Sequence, residues 1–561
     1  MKTTVLGMLR TLALAGFVTV VPLAPALAAP RPPDDAAIRK ALEDEMARSM
    51  TQLKLGKEAP PYFLRHVVVD TDRYWTSARL GALVDETQSP SRALHIEVRV
   101  GSPDEDNTNF AGSSPGGSAS VTREDDYDVL RRDLWQLTDS EYKDALASLA
   151  RKKASKAIQA AEKEKVPDFA KATPVQIVTN KAVVPTDADR ERLKELTLEL
   201  SRAFREHPKV DNGRVTSTIE LTRRRVLTSE KTWTDERRSR VRIDVFADTI
   251  AEDGQPLSAS LAFTSSDVAG LPPLDKMRAD VRALAENLAD QRTAPQVEPG
   301  VASVIFEGAA AGQLARLLLA DPFSGQPIPR TPGTSYAIDG SSSFAEKIGL
   351  TVAPKWLTVY DDPTALGPGK RLLAGGYDSD DEGVPAEKVT LIDRGVAKAL
   401  LMSRAPRKNF PKSDGHGRGG GSIRASASNL FVTVAPGHAL SRAELLAAAQ
   451  RSAGPKGTVY IVRQLSESSG IGRGQTIQAR VAVRWKDGKE EPVRGLSLEG
   501  FAPKKLKKDL VAAGKELTVY EDHVCSIVTP ALLFEDVDVG KPSDNNRTPP
   551  LYPSPLAAGI Q

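Results

Sequence analysis

The chain has 561 residues, with 76 Lys+Arg against 73 Asp+Glu, 40% hydrophobic residues and 27% charged ones. The near-balance of charge argues against a general nucleic-acid binder, and the apolar fraction excludes wholesale disorder. Cys525 is the single cysteine and none of the six histidines is followed by Glu, so an intramolecular disulfide, a cysteine-rich zinc module and a His-Glu-x-x-His site are excluded as well.

Met1-Lys2 and Arg10 precede an uncharged apolar run from Leu12 to Val21, and Ala26-Leu27-Ala28 supplies small residues for cleavage. This is the pattern of a secretory signal peptide over residues 1–28. It predicts export to the periplasm or the extracellular space, a mature chain starting near Ala29, and no membrane span after cleavage. Ile38, Leu42, Met46 and Met50 recur at helical spacing behind Asp34 and Asp35. Tyr62 to Asp72, Arg73 to Val84 and Arg92 to Val100 read as three strands of an antiparallel meander. Ser102 to Arg123 is a polar loop. Helices follow over Asp125 to Ala161 and Thr186 to Glu206, then strands over Arg214 to Leu227, Ser239 to Asp248 and Pro256 to Phe263, then a helix over Pro273 to Gln291.

Pro295, Pro299 and Gly300 mark a boundary between an N-terminal α+β domain at residues 29–295 and a second domain at 296–540. The second domain reads as short strands and glycine-rich turns, with helices at Glu307 to Leu319 and Ser441 to Ala449. Val389 to Ile392 and Val396 to Leu401 flank Asp393-Arg394-Gly395, a hairpin signature. Residues 541–561 form a Pro-rich tail. The fold class is therefore α+β in two domains, the first with helices packed on an antiparallel sheet.

Three motifs invite a chemical reading. Gly415-His416-Gly417-Arg418-Gly419-Gly420 matches G-x-G-x-x-G, but a basic loop precedes it and no helix follows, so it reads as a loop built for close backbone approach. The acids of Asp378-Ser379-Asp380-Asp381-Glu382-Gly383 offer oxygen ligands but lack calcium-loop spacing, and read as solvated turn acids. His523 and Cys525 share one side of a strand, too few for a closed zinc site; Cys525 reads as a buried thiol.

Several segments in order resemble the TldD/PmbA family of metallopeptidases, also called modulators of gyrase, in its secreted branch. They are Arg92–Ser102 with Asp106–Phe110, Leu134–Asp139 with Tyr142-Lys143, Val304–Ala311, Asp380–Pro385, Leu391–Gly395, Gly415–Arg418 and Ser428–Phe431. The resemblance implies a C-terminal domain built on a strongly curved antiparallel sheet. It also implies a zinc site of the form His-Glu-x-x-x-His on the first helix of that domain, with a late cysteine as a further ligand. Here Phe306 and Ala311 stand at the two histidine positions, and neither can donate a lone pair to zinc. Glu307 keeps the place of the general base, which has little to activate without a metal-bound water. Cys525 lacks the glycines of the family's cysteine.

Two function classes follow from the resemblance. One is a catalytically silent member that binds extended or unfolded peptide and forms a homodimer, or a heterodimer with an active TldD-like subunit, with no cofactor of its own. The other is an active peptidase with a metal site rebuilt from His416, His523 and Cys525, which requires zinc. A stand-alone peptide-binding module shares its features with the first. Phe306 and the Ala-rich stretch Ala309–Ala311 suit either packing against a partner or filling the domain's own core.

Overall fold

The structure is a computed structural model that describes residues 35–110, 112–113, 116–156, 166–327, 329, 344–454, 457–466, 476–522, 524–541, 547–549 and 551. The signal-peptide reading and most of the Pro-rich tail fall outside the described residues. Among the described residues, no helix is long and apolar enough to cross a membrane.

The N-terminal domain contains α1 (Asp35–Gln52), β1 (Pro61–Arg79), β2 (Ala82–Ser102), β3 (Glu105–Asp106), β4 (Gly116–Val121), α2 (Tyr127–Lys156), β5 (Gln176–Lys181), α3 (Asp187–Arg202), β6 (Asn212–Thr228), β7 (Trp233–Ile250), β8 (Pro256–Ser265) and α4 (Leu274–Gln291). Its sheet runs β3-β2-β1-β6-β7-β5, with β4 on β2 and β8 on β7. The expected three-strand meander is one long hairpin instead. β1 continues unbroken through Arg73 to Arg79, and β2 returns after a turn at Leu80 and Gly81, both at positive φ. The polar run from Arg73 onward pairs with β6 as well as β2, so its register is fixed from both sides.

All four helices cover one face of this sheet. Leu64 and Val68 of β1 pack with Ile38, Leu42, Leu130 and Leu134 of α1 and α2. Farther along the same face of β1, Tyr74 joins the second cluster, where Leu196 and Leu200 of α3 meet Val281 and Leu288 of α4. Thr186 caps α3 in a capping box: its hydroxyl accepts from the Asp189 amide, and the Asp189 carboxylate accepts from the Thr186 amide. The odd-numbered residues of β1 and the even-numbered residues of β6 and β7 are left to the opposite face. That face looks onto the C-terminal domain.

The C-terminal domain runs β9 (Gly300–Phe306), α5 (Ala309–Ala315), β10 (Leu357–Asp361), β11 (Val389–Asp393), β12 (Val396–Ala397), β13 (Gly417–Arg418), β14 (Arg424–Ala425), β15 (Asn429–Val434), β16 (Ala439–Leu440), α6 (Arg442–Ala453), β17 (Thr458–Leu465), β18 (Ile477–Lys486), β19 (Lys489–Val493), β20 (Ser497–Leu498), α7 (Lys505–Lys508), β21 (Leu510–Glu521) and β22 (Ser526–Gly540). Pairings β9–β17, β17–β18, β18–β20, β20–β22 and β22–β9 close a ring, so the sheet curls into a small barrel. Most pairings are antiparallel; β9–β17, β15–β22 and β16–β21 are parallel. The β11–β12 hairpin turns at Arg394 and Gly395, both at positive φ as its sequence requires. Strand alternation divides the barrel wall. Ile305, Ile461 and Leu533 face outward beneath α6, whereas Val304, Phe306, Val462 and Phe534 belong to the large inner core.

Candidate functional site

Phe306 is the last residue of β9, and its side chain is fully buried in the barrel. Its ring meets Phe501 and Phe534 edge-on, with centroids 5.5 and 5.7 Å away. The expected helix from Glu307 is shorter at its start. Glu307 lies in the turn, Gly308 takes φ +60°, and α5 begins at Ala309. The left-handed backbone at Gly308, which Gly tolerates without a Cβ clash, ends the strand before the helix starts. Ala310 and Ala311 are fully buried, so this Ala-rich stretch fills its own domain's core. Glu307 accepts from Arg463 Nε at 2.9 Å and Arg442 Nε at 3.3 Å, while Glu490 bridges the same two arginines. At these three positions the donor set does not fit zinc: two hydrocarbon side chains sit in an apolar core and the one carboxylate is committed to guanidinium groups.

His416 is fully buried between two carboxylates. Its Nε2 lies 3.0 Å from Asp361 and its Nδ1 2.8 Å from Asp414. Burial opposes a charged ring, but the two carboxylates outweigh it and lift the imidazole to about 10. At neutral pH the ring is therefore an imidazolium donating on both sides, with no lone pair free. Cys525 is buried, and burial pushes its thiol up to about 12. His523 lies outside the described residues. Among the described residues, no three His, Cys, Asp or Glu side chains gather into a metal-ligating group.

The acidic run at 378–383 is not a solvated turn. Asp380 and Glu382 are buried at the contact between the domains. Asp380 accepts from the amides of Glu382, Val384 and Gly417, each at 2.9 Å. Glu382 accepts from the Arg404 amide at 2.7 Å. Across the interface, Arg65 of β1 donates to the Asp381 carbonyl at 2.7 Å and the Gly420 carbonyl at 3.2 Å, and Arg224 of β6 pairs with the Asp381 carboxylate. The glycine loop after Ser413 serves this latch. A Cβ on Gly417 would lie 2.3 Å from the Glu382 carboxylate, so only Gly lets the backbone close over it. Sequence reading found both motifs and the backbone-approach role of the second, but not that each exists for the other.

Beside the latch, the two domains enclose a groove of about 300 Å³. Its floor is the helix-free face of the N-terminal sheet, including Glu220, Arg224, Arg238 and Arg240. Its roof is the C-terminal segment around Leu373 and Tyr377 together with Glu521. The groove continues over the sheet toward Trp75, Arg242 and Asp244. None of these floor residues stands out in the sequence. The one available signal was the strand alternation of charge from Glu236 to Asp244.

A family model described as the PmbA/TldA metallopeptidase C-terminal domain matches residues 299–541. A metalloprotease of Methanocaldococcus jannaschii is 30% identical over 117 residues, covering 20% of this chain and 25% of that protein. A metalloprotease of Archaeoglobus fulgidus is 26% identical over 240 residues, covering 42% of this chain and 51% of that one. The matches thus span from a quarter to about half of these curated relatives. Among solved structures, TldE from Thermococcus kodakarensis is similar with a TM-score of 0.58 at 15% identity, covering 89% of this chain and 100% of that one. A proposed modulator of a DNA gyrase from Thermotoga maritima gives a TM-score of 0.60 at 14% identity, covering 90% and 100%. At such identities the structural likeness establishes the fold alone.

Proposed function

The chain belongs to the TldD/PmbA family, and we propose that within it this protein is a catalytically silent, exported member that holds extended peptide in its interdomain groove and pairs with a related subunit carrying an intact zinc site. The observation that carries this reading is the burial of Phe306 and Ala311 in the barrel core at the positions of the family's histidines. A single lost ligand leaves a damaged metal site. Two lost ligands, both replaced by side chains that pack, leave a core position.

Glu307 supports the same reading. Its carboxylate is committed to ion pairs with Arg442 and Arg463. The rebuilt site is not favoured, because His416 spends both ring nitrogens on Asp361 and Asp414. The groove has the dimensions of a small binding cleft and is lined by sheet and loop rather than by a deep apolar pocket. The signal-like segment ahead of Ala29 is the basis for export.

The test uses a fluorogenic unstructured peptide and the mature chain, alone and mixed with its nearest relative bearing His-Glu-x-x-x-His. The expected result is no turnover by the chain alone, chelator-sensitive turnover by the mixture, and co-elution of the two subunits. Chelator-sensitive turnover by the chain alone overturns the proposal.

A further inference from the structure

We propose that Arg238 and Arg240 form a carboxylate-recognition site in the interdomain groove, selecting acidic segments of an extended peptide; this rests on the reading of the groove as a peptide channel. The two residues are i, i+2 on β7, so their side chains leave the same face of the strand and stand side by side in the groove.

What sets them apart is that their neighbours are already paired. Arg73 binds Glu220 at 2.6 Å, Arg242 binds Asp244 at 2.7 Å, Arg224 pairs with Asp381 and Arg371 with Glu521. Arg240 has no carboxylate within ion-pair distance among the described residues; its one hydrogen bond runs from Nη2 to the Asp522 carbonyl at 2.7 Å. The Arg238 side chain makes no hydrogen bond within 3.5 Å among the described residues, and its ion pairs to Glu236 and Asp378 are long, at 3.7 and 3.8 Å. The Nε of each is buried without a hydrogen-bond partner. Burial lowers both guanidiniums from their ordinary range; Glu236 and Asp378 beside Arg238, and Glu521, Glu220 and Asp244 near Arg240, offset this only in part, while Arg418 and Arg242 add to it.

A half-buried cation short of partners is an unfavourable arrangement that an anion relieves. A guanidinium fork matches a carboxylate in two parallel hydrogen bonds. Thr264, Ser265 and Ser266 line the same groove, a polar wall compatible with a peptide backbone. A polyanion fits poorly, because Glu220, Glu236 and Glu521 interleave with the arginines and repel a continuous phosphate chain. Isolated carboxylates on a peptide meet the unpaired Arg240 and the loosely paired Arg238 without meeting the acids. The carboxylate has two sources, an Asp or Glu side chain or a peptide C-terminus.

The test is fluorescence anisotropy on the mature full chain with labelled peptides of equal length. One carries two central Glu residues and an amidated end, one is neutral and amidated, and one is neutral with a free carboxylate; a single-stranded oligonucleotide is the fourth probe. At least one carboxylate-bearing peptide is expected to bind tenfold tighter or more than the neutral amidated one, and whichever gains identifies the source. The combined Arg238→Gln and Arg240→Gln variant is expected to erase that gain with an unchanged or raised Tm, since it removes two under-partnered charges. Should that variant not fold, Arg240→Lys keeps the charge without the fork and is expected to lose at least threefold. Equal binding of all peptides overturns this proposal and leaves the peptide channel standing. No peptide binding overturns both. Preference for the oligonucleotide, or selectivity unchanged in the variants, also overturns it.

Discussion

Replacing Phe306 with Ala tests whether Phe306 is a structural residue of the barrel core. The side chain is fully buried and meets two aromatic rings edge-on inside the barrel. Removing a buried Phe costs about 3–5 kcal/mol, and losing two aromatic pairs places this site toward the upper end. For a domain of this size, about 4 kcal/mol corresponds to a fall in Tm of roughly 10 °C. Phe306→Leu preserves most of the volume and is expected to cost under about 1.5 kcal/mol. Phe306→His loses the same packing and buries an imidazole among Phe501, Phe534 and Val304, so added zinc is expected to leave its Tm unchanged. Thermal melts of the mature chain with and without zinc read all three. A loss below about 1 kcal/mol for Phe306→Ala, or zinc stabilisation of Phe306→His, refutes the reasoning by showing a position open to solvent and metal.

Two further expectations follow from buried titrating groups. Burial, with Asp380 and Glu97 adding like charge, pushes the Glu382 carboxyl up to about 8. The folded chain then holds a proton that the unfolded chain has already released, so this group's contribution to stability declines as pH rises from the ordinary Glu range to about 8. Glu382→Gln mimics the protonated form; urea melts are expected to show it gaining on the wild type by a few kcal/mol between pH 5 and pH 8, and a parallel pH dependence of the two proteins contradicts the buried latch. Cys525, with its thiol pushed up to about 12 by burial, is expected to resist a thiol reagent at pH 8 until denaturant is added. Rapid labelling of the native chain contradicts its placement in the core.

The helices were legible because each carries its own period and ends. Leu193, Leu196 and Leu200 repeat at helical spacing behind the Thr186 cap, and Ser441 with Glu444 marks the start of α6. That Phe306 and Ala311 are not histidines was equally plain, since it is a statement about two side chains. Strand extents were less legible. β7 begins at Trp233, ahead of the apolar alternation, because its charged start Asp235–Arg238 is held by Arg223, Arg224 and Asp378 from elsewhere in the chain. The same long-range pairing hides the groove. Arg238 and Arg240 look like any surface arginines until the sheet places Arg242, Arg224 and their carboxylates beside them. The acid run at 378–383 looked solvated for a related reason: the groups that bury it, Gly417 and Arg404 among them, lie far along the chain, 37 residues from Asp380 and 22 from Glu382.

Metal content tests the central claim most directly. The mature chain, purified in zinc-supplemented buffer and exchanged into metal-free buffer, is measured by inductively coupled plasma mass spectrometry. With Phe306 and Ala311 in the barrel core and His416 held between Asp361 and Asp414, zinc is expected far below one equivalent. One equivalent of zinc, lost on replacing His416, His523 or Cys525, contradicts the account and establishes a rebuilt metal site in its place.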